Sequence, residues 1–382
     1  MKYVKFRNEE RENSLLGHGI MRLLEGEDGK INEEESVKLI RYGIDHGINY
    51  IDTGYTYHGG NSEVIVGKAL KDGYREKVLL ADKLPLWLVD SEEATGKLLD
   101  EQLARLDVDC IDMYLAHNII VDNWEIMKKY DVIGFMEEQK AAGRIGHIGF
   151  SFHGDLKLFK EVIDAYDWEF CQIQLNYLDK DEQATLEGLA YAREHGVDVI
   201  IMEPLKGGRV TDKVPASVQA IWDNAKASGV APEDRSPAEW AFRWVAAQPG
   251  VVLVLSGMNT YSQLDENIAI FSKEDFGEMS EAEAAVLDDV AREYNSKIRY
   301  QCTRCGYCMP CVKGLSIPSI ITGLNNWFAF DKNPSTKMEY LVWQGEGEHA
   351  SDCIGCGECE KKCPQSLPIT DIMKEAVSEF GK

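Results

Sequence analysis

The sequence predicts an α/β chain in which a (β/α)8 TIM barrel occupies residues 1–296 and a smaller cysteine-rich domain occupies 297–382. Three observations carry this. Short apolar runs alternate with amphipathic segments eight times over roughly 270 residues, which suits a closed barrel better than an open doubly wound sheet. The composition, 44% apolar and 28% charged over 382 residues, is that of a folded chain long enough for one large and one small domain. Eight of the ten cysteines fall between Cys302 and Cys363, after the alternation has ended.

The candidate strands are residues 14–21, 48–52, 77–84, 110–117, 145–151, 170–176, 197–204 and 250–257. Each is short and most are rich in Val, Ile, Leu or aromatics, as strands buried on both faces should be. Helix signals stand between them. Residues 33–46 carry Val37, Ile40 and Ile44 at helical spacing before Gly47. Asp90-Ser-Glu-Glu93 opens a segment running to Leu106. Ser236-Pro-Ala-Glu239 joins an N-cap to Pro at the first helical position and Glu at the third. Thr260-Tyr-Ser-Gln263 caps the segment after the eighth run, and Ser280-Glu-Ala-Glu283 opens one more helix to about Asn295.

The net charge of −24, from 65 acidic against 41 basic residues, argues against nucleic acid or an anionic membrane surface as partner. No run approaches the roughly 18 apolar residues of a membrane span. The N-terminal stretch has no apolar core of the signal-peptide kind, so a cytoplasmic protein is expected. In that setting clustered cysteines point to a metal or redox centre rather than disulfides. Cys110 and Cys171 lie in apolar strand-like runs and are expected as buried, inert thiols.

In a barrel, reactive side chains collect where strands end and βα loops begin. The second run ends in Asp52, with Tyr57 five residues on. The third carries Lys83 in Ala81-Asp-Lys-Leu-Pro85, and the fourth ends Met113-Tyr-Leu-Ala-His117. A Lys ammonium beside a Tyr hydroxyl favours the phenolate and should draw the Tyr pKa down. Asp beside the Lys holds it charged and in place, and a His within reach orients a carbonyl oxygen. Together these describe a proton donor for an alkoxide that forms as hydride arrives.

With Asp52-Thr-Gly-Tyr-Thr-Tyr57, Lys83 and His117 in that order, followed by Ser62-Glu63 and Gly67-Lys-Ala-Leu70, the first 295 or so residues resemble the aldo-keto reductase family. The resemblance implies Tyr57 as general acid/base, Lys83 and Asp52 as its pKa-setting partners, and His117 as the substrate-orienting residue. It also implies an NADP or NAD site. Gly149-Phe-Ser151 resembles the segment whose Ser holds the nicotinamide carboxamide, with Phe152 where Asn is usual, and Gln172 matches the carboxamide-binding Gln. Met202 stands where many members stack a Tyr. Pro204, Leu205 and Gly207 follow in Met202-Glu-Pro-Leu-Lys-Gly-Gly208, whose glycines can offer N–H groups to a pyrophosphate. Ser256, Gly257 and Met258, leading to Gln263 and Asn267, resemble the loop at the adenosine end. Gly257 and Gln263 replace two cations that many relatives set against a 2′-phosphate, which leaves NADP and NAD both open.

The tail carries Cys302-Thr-Arg-Cys305-Gly-Tyr-Cys308-Met-Pro-Cys311 and Cys353-Ile-Gly-Cys356-Gly-Glu-Cys359-Glu-Lys-Lys-Cys363-Pro364. The second run has the bacterial ferredoxin spacing, in which three thiolates take one cubane and the fourth Cys reaches the other. On that logic one [4Fe-4S] cluster takes Cys302, Cys305, Cys308 and Cys363, and the other Cys353, Cys356, Cys359 and Cys311. The first run departs from the pattern, with Val312 where Pro is usual. The tail thus resembles a ferredoxin-like two-cluster domain with an insert at about 313–352, holding Trp327 and Trp343 packed on the clusters or the barrel. Two structural Zn(Cys)4 sites are the alternative. The whole chain is similar to a microbial subgroup of aldo-keto reductases that carries such a domain.

Three functions follow as expectations. The first is a reductase of a small-molecule carbonyl, or the reverse with an alcohol. The second is an electron-transfer protein linking nicotinamide to a redox partner protein or other external carrier. The third is an ordinary reductase with a structural metal-binding tail. The second needs something to split a hydride's electron pair; a flavin would do so, but no motif identifies a flavin site.

Overall fold

The computed structural model describes residues 1–381 apart from 8, 27–28, 232–234, 303 and 344–347. It opens on a short antiparallel hairpin, β1 (Tyr3–Lys5) and β2 (Glu12–Ser14). Eight parallel strands follow: β3 (Leu16–Gly19), β4 (Tyr50–Asp52), β5 (Leu79–Pro85), β6 (Ile111–Ile119), β7 (Ile145–Phe152), β8 (Phe170–Gln174), β9 (Asp198–Met202) and β10 (Val251–Ser256). Each pairs with the next, and β10 returns to β3, so the sheet closes. All eight candidate runs become barrel strands, as the alternation predicts. The hairpin was not expected: its strands of three residues are too short to show a period.

Inward-facing Tyr50, Leu79, Ala81, Met113, Leu115 and Leu253 fill the barrel. Phe6, just after β1, packs its ring 5.9 Å from Tyr50 and 6.2 Å from Phe170. The interior is therefore a packed core, and polar chemistry is left to the rim where the strands end.

The helices begin where the capping signals stand. In α1 (Glu33–Asp45) the Asn32 side chain accepts from the Glu35 N–H. Thr260 accepts from the Gln263 N–H, and Ser280 and Glu283 cap each other reciprocally. Two helices matter for the site, α2 (Asn61–Ala69) and α3 (Glu92–Leu106). They meet closely at Gly67, where an added Cβ would lie 2.5 Å from the Leu106 carbonyl oxygen, so glycine is required there.

By internal contacts the chain forms two units, Met1–Pro204 with Glu239–Met279, and Leu205–Ala238 with Ser280–Lys382. The first holds the whole barrel. The second is helical, with a core of Ile320, Ile321, Leu324, Ile372 and Ala376. Trp327 is buried in that core, 5.7 Å from the Phe380 ring, and donates to Glu379 at 2.8 Å. The Trp343 side chain lies outside the described residues. Among the described residues no helix is long and apolar enough to cross a membrane.

Cys171 is buried, as expected, but Cys110 is only half-buried. It precedes β6 rather than lying in it, and its carbonyl accepts from Arg75 near the barrel's edge.

Candidate active site and cysteine cavities

Asp52 ends β4 and pairs in register with Ala81 of β5, so Lys83, two residues further, projects from the same inner face. Its ammonium donates to Asp52 Oδ1 at 2.6 Å and to the Thr53 carbonyl. Both side chains are buried, at 2% and 5% exposure, which makes this a desolvated ion pair rather than a surface contact. Burial raises the Asp52 carboxyl, and Lys83 pulls it back. Burial opposes the Lys83 charge, yet Asp52 and Tyr57 together hold the ammonium above its ordinary range. The ammonium is charged.

Tyr57 opens a 3-10 turn anchored by His58, whose Nε2 accepts from the Leu23 N–H at 2.8 Å. The turn lays the phenol against Gly54, where a Cβ would come within 2.9 Å of the ring. The ring centre is 5.0 Å from the Lys83 ammonium and 6.0 Å from His117, edge to face. Thus the structure brings Asp52, Tyr57, Lys83 and His117 into one cleft. The sign of the Tyr57 shift differs from expectation. Desolvation raises its pKa more than Lys83 lowers it, and Asp52 adds to the rise. Tyr57 is accordingly a protonated phenol at neutral pH.

His117 owes its aim to a bulge. The β6–β7 register slips between Ala116 and Ile119, and Asn118 sits at φ 62°, a conformation Asn tolerates. Burial, then the Lys83 charge, holds the His117 imidazole well below its ordinary pKa, so it is neutral. Its Nδ1 is buried and takes no hydrogen bond among the described residues. Trp87, overlooked in the sequence, lies 5.0 Å from His117 and is 40% exposed at the mouth. An aromatic immediately after the Lys83 strand was the available signal.

The cofactor candidates divide. Ser151 and Gln172 are buried register partners on β7 and β8. Gln172 donates to Asp52 Oδ2 at 3.2 Å, while its Oε1 is buried without a partner among the described residues. Ser151 Oγ accepts from the Asn118 N–H at 2.8 Å. Phe152, in the position where Asn is usual, is buried among Phe150 and Phe159 and is part of the core. Met202 ends β9, half-buried, and Pro204 is buried beyond it. Leu205 and Gly207 belong to the second unit, in a turn where Gly207 has φ 66°. Ser256 Oγ accepts from Asn267 at 3.0 Å, and Gly257 is exposed. Gln263 folds back on its own helix start, its Oε1 accepting from the Asn259 N–H at 2.9 Å.

Met258 is tied to β3 by His18, whose Nε2 lies 2.8 Å from the Met258 carbonyl. Burial depresses His18 to about 4, so the ring is neutral and donates this bond. The stability that a neutral His18 allows is fully present above its unfolded pKa of about 6.5 and is lost as pH falls through about 4. That loss is about 3 kcal/mol. Urea unfolding of His18→Gln should show a shallower fall between those limits; a slope equal to wild type would contradict it.

In the second unit, Cys302, Cys305, Cys308 and Cys363 line one cavity, with Pro318 and Ile321 behind them. Cys311, Cys353, Cys356 and Cys359 line another, which Cys308 also touches. Eight thiols thus gather in two groups, drawn from both halves of the tail. This is the donor chemistry that iron–sulfur cubanes take. Cys305 and Cys356 are exposed; the others are half-buried.

A closed parallel barrel with a buried Asp–Lys pair, a phenol and an imidazole at its rim is the frame of an α/β-barrel oxidoreductase, and this chain adds a cysteine-rich second unit. The chain belongs to the aldo/keto reductase family, whose model matches residues 15–284. A 4Fe-4S dicluster domain matches 301–367, which speaks for clusters over zinc. The chain is 26% identical over 328 residues to a probable aldo-keto reductase 1 of Glycine max, covering 76% of this chain and 92% of that one. It is 27% identical over 286 residues to an NADH-specific methylglyoxal reductase of Escherichia coli, covering 64% and 84%. A Klebsiella pneumoniae aldo-keto reductase solved with NADPH superposes at TM-score 0.61 with 25% identity, over 76% of this chain and 95% of that one. A Bacillus halodurans aldo-keto reductase shares the fold at TM-score 0.62 and 23% identity, over 76% and 96%.

Proposed function

We propose that this protein reduces an aldehyde or ketone with NADPH or NADH, and runs the reverse reaction, with Tyr57 as general acid/base. One observation carries the reading: a charged Lys83, held on Asp52 at 2.6 Å, stands 5.0 Å from the Tyr57 ring with His117 beside it. Bound nicotinamide cofactor supplies the hydride. Tyr57 gives its proton to the carbonyl oxygen, and the ammonium stabilises the phenolate left behind. Neutral His117 offers an N–H to the same oxygen and fixes the carbonyl's direction. Trp87 covers the mouth with an apolar face, which favours substrates whose carbonyl carries an apolar or aromatic group.

Ser151 and the Oε1 of Gln172, which has no partner among the described residues, would hold the carboxamide, Met202 would pack on the nicotinamide, and Pro204 would follow toward the pyrophosphate. Ser256, Gly257, Met258, Gln263 and Asn267 would take the adenosine end. Among the relatives, the Klebsiella enzyme was solved with NADPH and the Escherichia coli one is named for NADH. Titrating each cofactor against nicotinamide fluorescence decides between them. Absence of binding to both would overturn the reading.

The domain boundary is placed near residue 296, and the eight tail cysteines are assigned as two [4Fe-4S] ligand sets, matching the two cavity linings. Such clusters supply one-electron transfer. Exposed Cys305 and Cys356 put one ligand of each set within reach of a redox partner protein. Metal-held thiols fit a reducing compartment, hence a cytoplasmic protein. Cys353→Ser should lose about half the bound iron and sulfide, with the set of Cys302 retained. Full iron retention, or zinc in place of iron, would contradict the assignment.

A further inference from the structure

β4 stops at Asp52, and the last bond across to β5 runs from the Thr53 N–H to the Ala81 carbonyl at 3.0 Å. Main-chain groups facing one side of a strand recur every second residue, so the N–H and C=O of Lys83 face the side that β4 has left. Buried main-chain groups need partners, and here side chains supply both. Asp82 Oδ1 accepts from the Lys83 N–H at 2.8 Å, and Gln102 of α3 donates to the Lys83 carbonyl at 3.0 Å. The same Gln102 amide donates to Asp82 Oδ2 at 2.8 Å. Its oxygen accepts from the Tyr114 hydroxyl at 2.6 Å, which fixes the amide's orientation. All three side chains are fully buried.

Strand alternation sets Asp82 on the outer face of β5, opposite the Lys83 side chain, so this group stands apart from the cleft. The charged neighbours are few. Glu63 of α2 faces Asp82 and is held by Arg105 of α3 at 2.7 Å. Burial first, and Glu63 second, push the Asp82 carboxyl well above its ordinary value. The Lys83 ammonium itself meets Asp52 and Tyr57, feels Asp82 from the outer face and acts on His117, and Asp82 also reaches Tyr57 through space.

We infer that Asp82, Gln102 and Tyr114 act as a substitute strand that positions Lys83, fixing its main chain where β4 ends and so setting the distance from ammonium to phenol. They are positioning residues, since none reaches the reacting atoms. The inference rests on the Tyr57 reading above. A charge acts on its neighbour with a strength that falls with distance, and a shift of about 1 Å in such a support is felt at the reacting group.

The test is the pH dependence of carbonyl reduction and of alcohol oxidation in full-length holoenzyme, for wild type, Tyr57→Phe, Gln102→Leu and Tyr114→Phe. With Lys83 loosened, the Tyr57 phenolate is less favoured. In Gln102→Leu the pH limb set by Tyr57 should move up by about one unit in both directions of reaction. At fixed neutral pH, oxidation should fall about tenfold while reduction changes less than about twofold, and cofactor KM should stay put. Tyr114→Phe should shift the limb the same way by less, and it decides alone if Gln102→Leu does not fold. An unmoved limb, or equal losses in both directions, would overturn the inference. If Tyr57→Phe turns over like wild type, the Tyr57 reading itself has failed, a result distinct from an unmoved limb.

Discussion

Tyr57→Phe should lower kcat for carbonyl reduction by about 10²–10⁴-fold, the range a positioned general acid contributes, with nicotinamide binding unchanged. The change is small in structure and large in chemistry. Phe keeps the ring that lies over Gly54 and meets His117 edge to face, so the turn has no reason to move. Only the proton is lost. Because burial keeps the Tyr57 hydroxyl protonated, reduction in wild type should persist through neutral pH and decline only as the phenol ionises. Oxidation should run the other way, rising with pH. Steady-state rates in both directions, with cofactor affinity by fluorescence, check this. Retained turnover in Tyr57→Phe would remove Tyr57 from the reaction.

Lys83→Met should cost both activity and stability. The Met stem fills the space of the Lys chain, but Asp52, 4% exposed, loses its cation and, among the described residues, keeps the Gln172 amide at 3.2 Å as its side-chain partner. Breaking a buried pair from one side costs about 3–5 kcal/mol, because the remaining charge is stranded. Asp52 then takes up a proton, in the direction burial already pushes it. Alcohol oxidation should suffer most, since it needs the phenolate that Lys83 stabilises. The double variant Asp52→Asn with Lys83→Met removes the stranded acid and should recover much of the stability without recovering turnover. Urea unfolding of the single and double variants measures this. A Lys83→Met protein as stable as wild type would show that the pair is solvated and not buried.

Much of this was legible in the sequence because barrels place chemistry by rule. Once the eight runs are in order, the ends of β4, β5 and β6 must share a rim, so Asp52, Lys83 and His117 converge without any knowledge of loops. The grouping of the tail cysteines at two cavities was legible for a similar reason, since their spacing encodes how the tail folds back on itself. What escaped depended on burial or on single torsions. The sign of the Tyr57 shift is a contest between a nearby cation and lost solvent, and the sequence reports only the cation. Asn118 in the left-handed region aims His117, yet an Asn after a His carries no mark of it. Gln102 lies nineteen residues beyond Lys83 on another element, and its role exists only because β4 ends early. The Gln263 side chain bonds the Asn259 N–H at its own helix start, a local contact that the sequence offers only as one of two roles.

The most direct test follows the atoms. Holoenzyme would be mixed without oxygen with an aromatic aldehyde and nicotinamide cofactor deuterated at its reacting carbon, for Tyr57 and Tyr57→Phe proteins alike. If hydride passes to the carbonyl with Tyr57 as acid, the alcohol carries one deuterium on carbon, forms one-for-one with oxidised cofactor, and is missing from the Phe variant. Bleaching of the cluster absorbance by the cofactor with no labelled alcohol would contradict that claim and make the barrel an electron-transfer device.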